Sequence, residues 1–119
     1  MLSFLIGAAI GALIGAAVVL TIDVCIEIAQ RIFNQTPNAK HIDVVRKESK
    51  TFKRLVKRIP AFRDAVEGNP NTTAATFTYH RNGDMSMEIQ TNEVDSDFGD
   101  GYRVMRETPT EAKPIVLFE

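Results

Sequence analysis

The chain has 119 residues, 45% of them hydrophobic and 24% charged, which is room for one domain and its appendages. Its net charge of −1 averages three unlike blocks: −1 over 1–39, +5 over 40–67 and −5 over 68–119. A lone Cys25 excludes a disulfide framework, and Cys25, His41 and His80 lack the ligand spacing of a zinc site.

Residues 2–22, LSFLIGAAIGALIGAAVVLTI, carry no charge. At about 1.5 Å per residue they would make roughly 31 Å of helix, close to the hydrocarbon thickness of a bilayer. The run therefore predicts one transmembrane helix. A cleaved signal peptide fits less well, because the usual positive n-region is missing. Gly7, Gly11 and Gly15 recur every four residues, and Ala8, Ala12 and Ala16 repeat one place later. The repeat resembles a glycine zipper as a pattern shared by unrelated membrane proteins. It predicts a helix-packing interface, because small residues let helix backbones approach closely in lipid.

Ile22, Cys25, Ile26, Ala29, Ile32 and Phe33 continue at helical spacing beside Asp23 and Glu27. The helix is thus expected to run on to about residue 33 as an amphipathic extension. The two carboxylates lie off the glycine stripe, which places them at headgroup depth rather than in a pore. No Lys or Arg precedes the span, whereas Arg31, Lys40, Arg46 and Lys47 follow it. The positive-inside bias then puts the C-terminal module in the cytoplasm.

Residues 34–38, NQTPN, are a turn cluster. The stretch 39–59 is expected to be a second helix, with Val45, Phe52 and Ile59 seven apart and Leu55 and Val56 between them. Its basic face, Arg46, Lys47, Lys50, Lys53, Arg54, Lys57 and Arg58, suits an anionic membrane surface. A coiled coil is a second reading, interrupted by Glu48. Nucleic acid would use the same charge but finds no recognition motif or interleaved aromatics. Pro60 suits the first turn of a short helix over 60–67 that carries Phe62 and Val66, with Gly68 as terminator.

After a loop at 68–73 the period changes to two. Ala75, Phe77 and Tyr79 form one apolar row, and Met85, Met87 and Ile89 another, around Asn82-Gly83. A two-residue loop would put the rows on opposite faces. Keeping them together requires an odd loop, expected at 82–84 with a bulge, pairing Phe77 with Ile89 and Tyr79 with Met87. Glu93–Gly101 is an acidic connection whose Asp95, Asp97 and Asp100 fail the calcium-loop pattern at its sixth and twelfth positions. Residues 102–106 and 115–118 complete an expected antiparallel meander.

The expected fold is an α+β membrane protein: a transmembrane helix with amphipathic extension (1–33), a basic amphipathic helical linker (34–67) and a small β-rich module (68–119). The expected function is a single-pass, membrane-anchored structural or scaffold protein. It would oligomerise, or join a larger membrane complex, through Gly7, Gly11 and Gly15, and present the β module to partners. A membrane-active oligomer, such as a channel, a holin-like lysis factor or a defence effector, is the alternative. Membrane lipid is the expected partner, with no nucleic acid and no small-molecule substrate identified. No catalytic residue, cofactor or metal is assigned, so no enzymatic activity is expected.

Overall fold

The computed structural model describes residues 4–6, 19–108 and 111–116, with side chains over 19–106. In chain order these form β1 (Phe4–Ile6), α1 (Ile22–Gln35), β2 (Ala39–Arg46), α2 (Lys50–Arg58), α3 (Pro60–Glu67), β3 (Ala74–His80), β4 (Met85–Gln90), a 3₁₀ turn (Ser96–Phe98), β5 (Gly101–Thr108) and β6 (Glu111–Val116). One six-stranded sheet has the order β1-β4-β3-β2-β5-β6. Its pairings are antiparallel except for β1, which runs parallel beside β4.

The continuous helix expected over 2–33 does not form. Phe4–Ile6 is a strand, Leu20 makes a parallel bridge to Val94, and helix starts only at Ile22. The cause is local. Leu20 N donates to Glu93 O at 2.7 Å and Leu20 O accepts from Asp95 N at 3.0 Å, so this backbone pairs laterally. Thr21 then caps α1, its Oγ1 accepting from Val24 N at 3.2 Å. The resulting helix has 14 residues, and Asp23, Glu27 and Arg31 sit on its exposed side. Among the described residues no helix is long and apolar enough to cross a membrane. This overturns the expected transmembrane helix, and with it the single-pass membrane fold and location. Gly7, Gly11 and Gly15 lie outside the described residues.

A second correction concerns 39–46, expected to be helix. AKHIDVVR is instead the strand β2, hydrogen-bonded on both edges. Alternation explains it: Ile42 and Val44 face one way, while His41, Asp43 and Val45 face the other. Because β2 lies between β3 and β5, the C-terminal strands are not a meander. The β3–β4 hairpin keeps both apolar rows on one face, as the shared-face constraint demands. Its odd loop is 81–83 rather than the expected 82–84, so the register is shifted by two: Phe77 meets Met87 instead of Ile89, and Tyr79 meets Met85 instead of Met87. Gly83 takes the positive φ of 93° that this loop requires.

Each sheet face has its own core. On one, α1 lays Cys25, Ile28, Ala29 and Phe33 against Ile42, Val44, Tyr102 and Val104. Phe98 pins the acidic connection there, edge-on to Tyr102 at 4.9 Å. Arg106 of β5 donates to Phe33 O and Pro37 O and lies over the Phe33 ring. It thereby supplies a cation that the last turn of α1 lacks. On the other face, α2 and α3 cover Val45, Ala75, Phe77, Met85, Met87 and Ile89. Phe62 bridges the layers, edge-on to Phe52 at 4.9 Å and to Phe77 at 5.1 Å. Pro60 starts α3 and Gly68 ends it, as the sequence predicts.

The α1 core can be probed through its thiol. Cys25 is 1% exposed, and burial pushes its pKa from 9.0 up to about 12. Three units remove about a thousandfold of the reactive thiolate near pH 8. Native protein is therefore expected to resist thiol-specific labelling that goes to completion in denaturant. Rapid labelling without denaturant would show that α1 does not pack as described.

Candidate functional site

Five of the nine residues of α2 are exposed cations: Lys50, Lys53, Arg54, Lys57 and Arg58. The arrangement follows from the helical period. Phe52 is buried and Leu55, Val56 and Ile59 are partly buried against the sheet, which turns the remaining positions outward. Ser49 fixes where the helix starts, its Oγ accepting from Phe52 N at 3.1 Å while donating to Arg46 O at 2.8 Å. Like charges thus stand three and four apart along one surface. Each such pair costs an isolated helix about 0.2–0.5 kcal/mol. Among the described residues none of the five forms an ion pair.

All seven cations of the sequence-predicted basic face fall in or beside this region, but in different settings. Arg46 closes β2 and meets Glu48 at 3.6 Å, an exposed contact of little energetic weight. Lys47 sits in the loop before α2. Among the described residues, the five helix cations line a shallow depression of about 310 Å³. Next to it, Phe52, Val56 and Val66 line an open groove of about 510 Å³, rimmed by Lys47, Lys53, Lys57 and Glu48. The surface therefore places positive charge and bare apolar area side by side.

A second cluster depends on 39–46 being strand and has no counterpart among the sequence-predicted site residues. On the sheet face that carries α2, Asp43 is 2% exposed and stands directly across from Arg103. Arg103 Nε donates to Asp43 Oδ1 at 2.8 Å and Nη2 to Oδ2 at 3.1 Å. Both carboxylate oxygens are thus engaged by one guanidinium, the strong bidentate geometry. Two residues along, His41 stacks on Tyr79 with centroids 4.5 Å apart and 28° between planes. Burial and then Arg103 hold the His41 pKa below 6.5, against the opposing pull of Asp43. Burial and then Asp43 raise that of Tyr79, while Arg103 and Arg54 oppose. Arg54 belongs to α2, so the cluster and the cationic helix are electrostatic neighbours. The signal that could have found it is His41 and Asp43 two apart in an alternating segment.

Chemically the two clusters differ. The carboxylate of Asp43 is saturated by its partner and serves to hold β2 against β5. The α2 surface has unpaired charge facing solvent and is able to take an anion. Among the described residues no group of three His, Cys, Asp or Glu side chains could hold a metal ion.

Two outcomes follow. Arg103→Met leaves the Asp43 carboxylate buried without its partner and is expected to cost about 3 kcal/mol in denaturant unfolding, the low end for a broken buried pair. The low end applies because the Arg103 side chain is 40% exposed against 3% for Asp43. Asp43→Leu combined with Arg103→Met should recover most of that loss; equal losses in both variants would mean the pair is not coupled. For His41 the folded pKa lies below the unfolded value, so the unfolded chain binds the extra proton. Its contribution is fully present above pH 6.5 and is lost progressively as pH falls below that value. His41→Phe should flatten this part of the stability–pH curve, and an unchanged slope would contradict the assignment. No known family, curated protein or solved structure matches this chain, so the geometry of its own residues carries its functional assignment.

Proposed function

We propose that this chain is a non-catalytic docking module that holds an anionic partner through the outer face of α2. One observation carries the reading: Lys50, Lys53, Arg54, Lys57 and Arg58 converge on one exposed surface, with no ion pair among the described residues. Folding alone would not favour this arrangement, since alternating charge would support the helix better. A surface of one sign gains its value when phosphate, sulfate or carboxylate groups approach, because the summed field raises their local concentration. The stable sheet beneath α2 supplies a rigid platform for such binding. The role is that of a scaffold, which binds without turnover.

Retention on an immobilised sulfated polysaccharide tests the reading. Wild type is expected to be retained at low salt and released as salt screens the exposed charges. Lys53→Glu with Lys57→Glu should abolish retention. Lys40→Glu with Arg81→Glu makes the same change in net charge at exposed sites away from α2 and should leave most of it. If both pairs lower the elution salt equally, net charge rather than the α2 face governs binding, and the proposal fails.

A further inference from the structure

The groove beside the cationic helix points to the chemistry of the ligand. Its floor is Phe52 and Val56 from α2 and Val66 from α3, and its lining is almost wholly apolar. A volume of about 510 Å³ lies within the range of small-molecule sites. Lys47, Lys53 and Lys57 also line the groove; since that lining is apolar they contribute their methylene stems, which leaves their charged ends for its margin. The one rim acid, Glu48, is turned toward Arg46 at 3.6 Å. An occupant must therefore offer an apolar body to the floor and negative charge to the rim.

We propose that this groove binds the hydrocarbon chain of one long-chain fatty carboxylate, whose head group meets the lysine rim. Charge complementarity selects the carboxylate, and the apolar floor selects the chain. Nucleic acid fits the rim but not the floor: its bases need flat aromatic surfaces on which to stack, and Phe52 is 2% exposed. A hydrophilic polyanion likewise leaves Val56 and Val66 facing water. A flexible chain suits an open trough of this kind, because it can follow the line between two helices. The proposal rests on the cationic face for Lys53 and Lys57, whereas Lys47 and the two valines belong to the groove alone.

Calorimetric titration of the full chain with octanoate, decanoate and dodecanoate below their micellar concentrations tests it. Each further methylene is expected to strengthen binding by two- to fourfold, up to the value for full burial, until the groove is filled. Decanol should bind up to about fivefold more weakly than decanoate, the size of an exposed charge pair. Lys47→Glu should weaken decanoate by a similar factor while leaving retention on the sulfated polysaccharide in place. Val56→Thr, a near-isosteric change at the floor, should lower the gain per methylene. Affinity that does not change with chain length, in protein still retained by the polysaccharide, would overturn the groove and leave the docking face standing. Loss of both readouts in folded wild type would overturn both. Binding to anionic phospholipid vesicles with none to monomeric fatty carboxylates would replace the free fatty anion by a bilayer surface. Tighter binding to a DNA duplex than to dodecanoate would overturn the fatty ligand as well.

Discussion

The aromatic contact that runs from Phe52 through Phe62 to Phe77 holds the cationic surface of α2 in place. A nine-residue helix is too short to persist alone in water, and one whose outward positions are nearly all cationic is weaker still. What keeps α2 folded is Phe52, buried and edge-on to Phe62, which is edge-on in turn to Phe77 of the sheet. Such pairs contribute about 0.5–1.5 kcal/mol beyond the area they bury. The chain thus sets apolar attraction on the inner side of α2 against electrostatic repulsion on the outer. The charge stands where it opposes folding, and the aromatic contacts beneath it offset that cost.

The sheet face below α2 is divided along β2. Val45 joins the apolar half with Ala75 and Phe77, beneath the two helices. Asp43 and His41, toward the other end of the same strand, join Arg103 and Tyr79. The apolar half positions the cationic helix, and the polar half ties β2 to β5 by a single bidentate contact. Arg54 of α2 acts electrostatically on the Tyr79 hydroxyl, opposing the larger effect of burial.

Local signals in the sequence locate several single elements, though not the exact register of the hairpin. Pro60 and Gly68 bound α3, and the period-two rows around Asn82-Gly83 form a hairpin with a shared apolar face. The helical spacing from Ile22 to Phe33 is that of α1. Lys53, Arg54, Lys57 and Arg58 are exposed as the amphipathic pattern requires. The failures come from competition between elements. Val45, Phe52 and Ile59 are seven apart and do share one core, but they reach it from a strand, a helix and a junction. A heptad spacing was therefore real as a statement about burial and misleading as one about a continuous helix. The uncharged run at the N-terminus matched a bilayer's thickness, yet the lateral hydrogen bonds of Leu20 to a segment more than seventy residues away stop helix there. Neither that pairing nor the meeting of Asp43 with Arg103 leaves a trace in local periodicity.

The position of β2 in the middle of the sheet also bears on how the chain is made. Both neighbours of this strand come later in the sequence: β3 begins at Ala74 and β5 only at Gly101. A growing chain that has emerged as far as α3 therefore carries Ile42, Val44 and Val45 with neither edge paired. Even after the hairpin docks, one edge stays open until β5 appears. Gly101 is fitted to that final closure, since a Cβ there would come within 2.7 Å of Val44 O. Assembly of the sheet must then wait for β5, and the unpaired edge before that point is the stage at which the nascent chain is most exposed to misassociation and most dependent on chaperones.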